Sequence, residues 1–428
     1  KQQFGETVVV AGAGMGGLCA AAAVSDYFNE VIVVERDEFP TNPQFRVGVP
    51  QGAHVHTLLG FAVEAFESLL PGIMDDLYAA GAVKIRRNFD IWFHDSYGPT
   101  PRRDVGILTP SVTRPLLEHI VRKRVADLGN VTFLTGARIN AYLSDTSGKV
   151  TGASIKFRGG TNEELISDLV IDCAGRGSCL PRWLEEQGYG EIPAQTIEID
   201  MGYTSGLFEP PEDLANETWA CLMLAVPPGL RASYLTPVDG GLWLATMYGR
   251  AGDFAPREHV GFVEWTKGLA HPCIHERLVR AKPASQLRSF RIPKGVWRRF
   301  DKMEKFPDAI LPLGEVFTAF NPMYGQGISL AASQSLAISR AFDKINSPHA
   351  GEEFRKEYFD GCYEINQTGW GVMETRDFAY SSTKGSRPLD IEKKWRLGKT
   401  VRDLAETDEE VHELSVRVTH LLESPTSL

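Results

Sequence analysis

The chain has 428 residues, enough for two or three domains at about 150 residues each and for a substantial buried core. With 43% hydrophobic and 23% charged residues, 41 Gly and 25 Pro, it is a globular mixture, which excludes collagen-like, coiled-coil and wholly disordered chains. A formal net charge of −10 argues against a general nucleic-acid binder, and six cysteines without a CxxC pair form neither a disulfide framework nor a zinc ribbon, which suits a cytoplasmic protein.

Thr7 to Ala11 is a short β-branched run, followed by Gly12-Ala-Gly14-Met-Gly-Gly17 and an alanine-rich stretch to Val24 without helix breakers. That order predicts strand, tight turn and helix. Val8 to Val24 is the longest apolar run, but Gly12, Gly14, Gly16 and Gly17 interrupt it, so no transmembrane segment is expected. Val31 to Val34 predicts a second strand, parallel to the first across a βαβ crossover and ending at Glu35 and Arg36. Ser111 to Leu128 reads as a helix with Arg114 in its first turn. Val131 to Leu134 and Leu165 to Ala174 read as strands, with hairpins around Gly148 and Gly159-Gly160 between them.

From about Gly188 to Leu287 the texture becomes Pro/Gly-punctuated. Tyr234 to Val238, Asp239-Gly240-Gly241 and Leu242 to Tyr248 predict a hairpin within an antiparallel sheet. Ile310 to Leu313 is a short buried strand, followed by a Gly/Pro-rich loop and a helix over Ile328 to Phe342. Beyond Ser347 the chain reads as helical, with Val411, Leu414, Val418, Leu421 and Leu422 on one helical face. The expected fold is α/β: a Rossmann-like, glutathione-reductase-like nucleotide domain with an inserted antiparallel-sheet substrate domain and a helical C-terminal segment. Its expected parts are 1–187, with substrate-domain excursions near 60–105, then 188–287, 288–345 and 346–428.

The strongest chemical signal is Gly12-x-Gly14-x-x-Gly17 between a strand and a helix, with Glu35 closing the next strand 18 residues beyond Gly17. Gly12 permits the turn, Gly14 lets a pyrophosphate approach the helix N-terminus, Gly17 allows close packing, and Glu35 accepts from ribose hydroxyls. FAD and NAD both satisfy this pattern. In a second segment, Pro322, Gly325 and Gly327 leave backbone amides accessible at a helix start, which favours negative charge.

Gly314-Glu315 followed by Asn321-Pro322-Met-Tyr-Gly325-Gln326-Gly327 resembles the second FAD motif of the flavoprotein monooxygenases related to p-hydroxybenzoate hydroxylase. The family's usual pair is Gly-Asp, whose carboxylate holds the ribityl chain; Glu315 keeps the charge and adds a methylene. The resemblance covers roughly residues 7 to 345. It implies FAD contacts from Gly314, Glu315, Pro322, Gly325, Gln326 and Gly327, with Arg36, Arg46 and Arg114 at the phosphates or ribityl chain. Ile171-Asp172-Cys-Ala-Gly175-Arg176-Gly177-Ser178 resembles a degenerate form of the family's Asp-Gly fingerprint, with Asp172 open to a second reading as a turn-fixing residue.

Gly48-Val-Pro50-Gln51-Gly-Ala-His54-Val-His56, with Thr318-Ala-Phe320-Asn321-Pro322, resembles a bacterial subgroup that includes polyene epoxidases and hydroxylases of natural-product pathways. The resemblance implies oxygen insertion from O2 into a small apolar organic substrate through a flavin C4a-hydroperoxide, with electrons from NAD(P)H or a separate flavin reductase. Its alternative is an FAD-dependent reductase or dehydrogenase acting on an isoprenoid-like substrate. His54 and His56, two apart in an extended segment, are expected near the flavin as donors or proton carriers, or else hydrogen-bonded to neighbouring backbone.

Tyr203, Phe208, Tyr234, Trp243 and Met247 are the expected apolar wall, part of which strand alternation assigns to domain core. The Trp-x-Trp-x-Ile-Pro signature of flavin halogenases is absent. His271-Pro-Cys273-Ile-His275 has no matching second cluster for a metal. The tract Lys282 to Lys305, with eight Lys/Arg against two Asp/Glu, reads as a solvated rim or an anion-attracting surface.

Overall fold

The computed structural model describes residues 3–345 and 351–428, so the expected boundary between 345 and 346 borders residues outside that set. In chain order, the elements that place the site begin with β1 (Gly5–Ala11), α1 (Met15–Val24), β2 (Phe28–Val34), β3 (Ile91–Asp95), α2 (Arg114–Ala126), β4 (Val131–Leu134) and β5 (Leu169–Asp172). The inserted sheet follows with β6 (Ala194–Glu209), β7 (Ala220–Met223), β8 (Ala232–Val238), β9 (Leu242–Arg250) and β10 (Arg288–Arg298). The chain closes with β11 (Ile310–Pro312), β12 (Thr318–Ala319), α3 (Gly327–Lys344), α4 (Glu352–Asp377), α5 (Ile391–Ala405) and α6 (Glu409–Thr419).

A parallel sheet in the order β11–β5–β1–β2–β4 forms the nucleotide domain. Val8, Val9 and Val10 of β1 are fully buried because α1 and an antiparallel meander over residues 137–166 both pack against this sheet, and cover of that kind makes central parallel strands continuous apolar runs. Every residue of α1 except Gly16 is buried, which is why its sequence is apolar all round. The chain leaves β1 for β2 on one side and returns to β5 on the other. At such a switch point a crevice opens beyond the carboxyl ends of the strands.

The stretch expected as one strand over Leu165 to Ala174 is two. Asn162–Ile166 ends an antiparallel meander with Ala137–Ser144 and Val150–Phe157, and Leu169–Asp172 enters the parallel sheet. The break falls where Asp168 Oδ2 accepts from the backbone amides of Glu6 and Thr7 at 2.7 and 3.1 Å.

The larger sheet runs β12–β10–β6–β9–β8–β7–β3 and is antiparallel except for the β7–β3 pair. Its pairing of β10 with β6 carries it past residue 287, where the sequence boundary was drawn. β3 enters it from the 60–105 region. The pleat divides the expected wall residues between two faces. Tyr203 and Tyr234 belong to the core shared with the nucleotide domain, whereas Phe208, Trp243 and Met247 lie in a separate cluster with Phe262 and Trp265 of helix His259–Trp265.

α3 and α4 pack together, and α5 and α6 follow. α6 ends at Thr419, so Leu421 and Leu422 leave the expected helical face; Leu421 has a φ of +60°, and the helix buries His412 and Val416 instead. No helix among the described residues is long and apolar enough to cross a membrane.

Close packing of α1 on the first turn has one unforgiving point. A Cβ on Gly17 would stand 1.8 Å from the carbonyl oxygen of Gly12. Gly17→Ala therefore loses at least the ~1–3 kcal/mol typical of overpacking in chemical denaturation; parental stability would show that α1 is not seated on this carbonyl.

Candidate functional site

Two helix starts meet at the crevice. Gly12, at φ +90°, donates its amide to Val34 O at 2.7 Å and turns the chain into α1, whose N-cap is Gly14. β11 ends beside β5, and Gly314, at φ +69°, turns the chain toward α3. A Cβ on Gly16 would lie 3.1 Å from Leu313 Cδ2 and 3.6 Å from Ala331 Cβ, so the start of α1 packs directly on the residue before Gly314 and on the first turns of α3. Neither helix has a side-chain cap or an acidic residue in its first turn. Their N-terminal amides are thus left to an external anion. Around them, a Cβ added to Gly14, Gly177, Gly314 or Gly327 would meet nothing within 4 Å.

The carboxylates and arginines near the first turn form a closed set. Glu35 is buried and accepts from the Ala13 and Asp37 amides at 2.8 and 3.0 Å. Arg46 Nη1 lies 3.3 Å from Glu35 and 3.2 Å from Asp37, its Nε donates to Glu118 at 2.6 Å, and its Nη2 donates to Ala13 O at 3.2 Å. Arg114 bonds the other Glu118 oxygen at 3.2 and 3.3 Å. The sequence sends Arg46 and Arg114 toward phosphates or a ribityl chain. All three Arg46 nitrogens have partners within the protein, as a buried guanidinium needs buried carboxylates. Arg36 is exposed and donates to Gly48 O at 2.8 Å.

At the second entrance, Gly314 N donates to Gln334 Oε1 at 2.7 Å. Glu315 is 44% exposed, 3.6 Å from Arg176 Nε. Asp172 is fully buried and accepts from Tyr142 OH at 2.6 Å, the Ala174 amide at 2.9 Å, and Ser178 Oγ. It therefore fixes the strand-to-loop turn, the second of its two readings. Pro322–Tyr324 forms a single turn capped by Asn321, whose Oδ1 accepts from the Met323 amide at 3.1 Å, and Gly325 follows at φ +66°. Gln326 is buried, and its Oε1 has no protein partner.

The His54–Thr57 segment lies against this turn: a Cβ on Gly325 would approach Thr57 Cβ to 3.1 Å. His54 is buried, with Nδ1 2.7 Å from Ser205 Oγ, which is 2.6 Å from Thr246 Oγ1. Thr246 also accepts from the Val55 amide at 3.1 Å. The His54 ring packs edge-on against Tyr203 at 4.3 Å, and its Nε2 has no protein partner. His56 Nδ1 is 2.8 Å from His54 O. Burial pushes the His54 pKa down to about 3; burial and then the Arg114 charge do the same to His56. Both rings are neutral near pH 7, which suits hydrogen bonding.

Ser205, Thr246 and Thr57 were not anticipated as site residues. For Ser205 and Thr246 the available signal was their polarity within apolar strands, on the alternation shared with Tyr203. The His271–His275 segment holds no metal-binding group among the described residues: Cys273 Sγ faces Cys221 Sγ at 3.7 Å, and His275 Nδ1 lies 2.9 Å from Thr266 Oγ1.

No protein-family model matches the chain. Protein Rv3254 of Mycobacterium tuberculosis (strain ATCC 25618 / H37Rv) is 31% identical over 438 residues, covering 97% of this chain and 90% of that protein. The chain belongs to the Rv3254 family. Among solved structures, the flavin-dependent brominase Bmp2 superposes with a TM-score of 0.69 at 15% identity, over 97% of this chain and 93% of its own. PqsL, a probable FAD-dependent monooxygenase from Pseudomonas aeruginosa, gives 0.62 at 14% identity, over 87% and 97%. This Rv3254-family chain thus has the fold of the FAD-dependent monooxygenases related to p-hydroxybenzoate hydroxylase.

Its residues fit that cofactor. Two uncapped helix starts, open space over four glycines and the orphaned Gln326 oxygen supply an anion-binding, hydrogen-bonding crevice.

Gly14 has a φ of −71°, which alanine adopts freely. Gly14→Ala should leave stability within about 1 kcal/mol while placing a methyl where the pyrophosphate approaches. Fluorescence titration should then show FAD binding at least tenfold weaker; parental affinity would contradict this pose.

The histidines make a separate prediction about pH. Unfolded they titrate near 6.5 and folded near 3, so at pH 7 they contribute no difference between the two states. Between those values the unfolded chain takes up protons that the folded chain refuses, and stability falls with pH. His54→Gln should flatten this fall in urea midpoint below pH 6.5; an unchanged slope would contradict a buried neutral His54.

Proposed function

We propose that this protein is an FAD-dependent monooxygenase that inserts one oxygen atom from O2 into a small apolar organic substrate, by epoxidation or hydroxylation. The observation that carries the reading is the meeting of two uncapped, glycine-lined helix starts under one face of the inserted sheet. When bound, FAD supplies the oxygen activation and transfer; NAD(P)H or a separate reductase supplies electrons.

The chain's own residues bind, orient and exclude water. The α1 N-terminus, open at Gly14, receives the pyrophosphate, and Glu35 at the end of β2 is the acceptor for ribose hydroxyls. Gly314 and Glu315 hold the ribityl chain, and the amides after Pro322, through Gly325, Gln326 and Gly327, favour negative charge on the flavin. Arg46 and Arg114 act by holding Glu35 and Glu118 in place. Tyr203, Tyr234, Leu244 and Tyr248 lie on the sheet alternation facing the nucleotide domain and keep water from the reacting carbon. His54 and His56, both neutral, present ring nitrogens at this boundary without taking up a proton.

The test is oxygen uptake by FAD-loaded protein supplied with NADH or NADPH, or photoreduced, across a panel of conjugated polyenes and phenols. Uptake that rises with one of them, with one oxygen atom recovered in the product, is expected. Anaerobic reduction of a polyene with no oxygen uptake would make the protein a reductase. Glu315→Ala should weaken FAD retention about tenfold, the equivalent of ~1.5 kcal/mol for an acceptor that carries charge. Unchanged affinity by equilibrium dialysis would remove Glu315 from the cofactor site.

A further inference from the structure

The C-terminal helices carry no motif, yet one of their side chains ends beneath the second helix entrance. Asp377 is the last residue of α4 and is fully buried. Its Oδ1 accepts from Tyr324 OH at 2.5 Å and from Asn321 Nδ2 at 3.0 Å, and its Oδ2 lies 3.3 Å from the same Asn321 nitrogen. Arg250, the last residue of β9 and 1% exposed, donates to Asp377 Oδ1 from Nη2, which also lies 3.2 Å from Tyr324 OH. The Arg250 guanidinium stacks 4.3 Å from the Tyr380 ring centroid, and Tyr380 OH donates to Ala225 O at 3.1 Å.

Asp377 thus gathers three separate parts of the chain. Asn321 and Tyr324 belong to the turn that opens into α3, and Arg250 belongs to the large sheet. Met323 anchors the turn in the core and Thr57 packs on Gly325, but its other hydrogen bonds are local: besides the Asn321 cap, its backbone bonds run from Gly325 N to Pro322 O at 3.0 Å and from Tyr324 N to Asn321 O at 3.4 Å. An acid at a helix C-terminus opposes the helix dipole, so α4 gains nothing from Asp377 itself. The compensation comes from Arg250 and the two turn side chains.

We propose that Asp377 is a positioning residue for the cofactor, clamping the Asn321–Gly325 turn so that the backbone amides at the start of α3 face the flavin. This rests on the FAD reading above. Through the clamp, the C-terminal helices and the substrate-bearing sheet share one anchor with the flavin-binding turn. A shift of either is felt at the amides that favour the reduced cofactor.

Removing Asp377 or Arg250 alone strands a buried charge, so the two are replaced together, as Arg250→Met with Asp377→Leu. Tyr324→Phe deletes the hydroxyl's bonds to Asp377 and from Arg250 and leaves the ion pair. Hydrogen exchange on FAD-free protein should show the Met323, Tyr324 and Gly325 amides opening at least tenfold faster in the double variant, with a smaller change in Tyr324→Phe. A circular dichroism melt verifies that each variant folds. On FAD-loaded protein, a tenfold loss of affinity confined to the reduced cofactor lowers the midpoint potential by about 30 mV.

Parental exchange and potential in folded variants overturn the clamp. Faster exchange with an unchanged potential confines Asp377 to turn stability and overturns its cofactor role. A parent that never binds FAD defeats the cofactor reading itself, while exchange in the FAD-free protein still decides whether Asp377 holds the turn.

Discussion

The site depends on how closely the first helix is pressed onto the first turn. The Gly12 carbonyl occupies the place where any side chain at Gly17 would begin, and Gly16 leaves just enough room for Leu313 and Ala331. With these contacts α1 and α3 start side by side at the carboxyl ends of β1 and β11. Neither start carries a carboxylate in its first turn or a side-chain cap, so each leaves backbone amides that favour negative charge. Substituents larger than hydrogen at these glycines would separate the helices or fill the space between them.

Charge is distributed in keeping with that arrangement. The buried arginines near the first turn are turned inward, where Glu35, Asp37 and Glu118 compensate them. On the opposite wall the histidines are held neutral by burial, and Ser205 and Thr246 satisfy His54 without introducing charge. The crevice therefore has polar amides on the helix side and, on the other, an aromatic sheet face whose Arg250 is paired with Asp377. Such a pairing suits a cofactor that is anionic at one edge and a substrate that is apolar.

Much of this was legible because its causes are local. A β-branched run, a glycine turn and an alanine-rich stretch specify β1, the turn and α1 within about 20 residues, and Asp239-Gly240-Gly241 marks the β8–β9 hairpin in the same way. His54 and His56 were expected near the flavin from a resemblance and from their spacing of two; their segment lies against the turn of the second motif, where Thr57 meets Gly325. What escaped depends on distant partners. Arg46 turns inward because Glu118, 72 residues away, is buried next to it. Trp243 and Met247 share the same strand as Thr246 and Tyr248, and only the helix His259–Trp265 decides which face is core. Asp377 meets Arg250 across 127 residues, a pairing that no window of sequence displays.

The most direct measurement is equilibrium binding of FAD and FMN to the purified, flavin-stripped protein. One FAD per chain, held tightly with a structured flavin spectrum, and FMN bound far more weakly for want of the adenosine half, is the predicted result. A chain that stays colourless, or that holds FMN as well as FAD, would contradict two helix entrances sharing one dinucleotide.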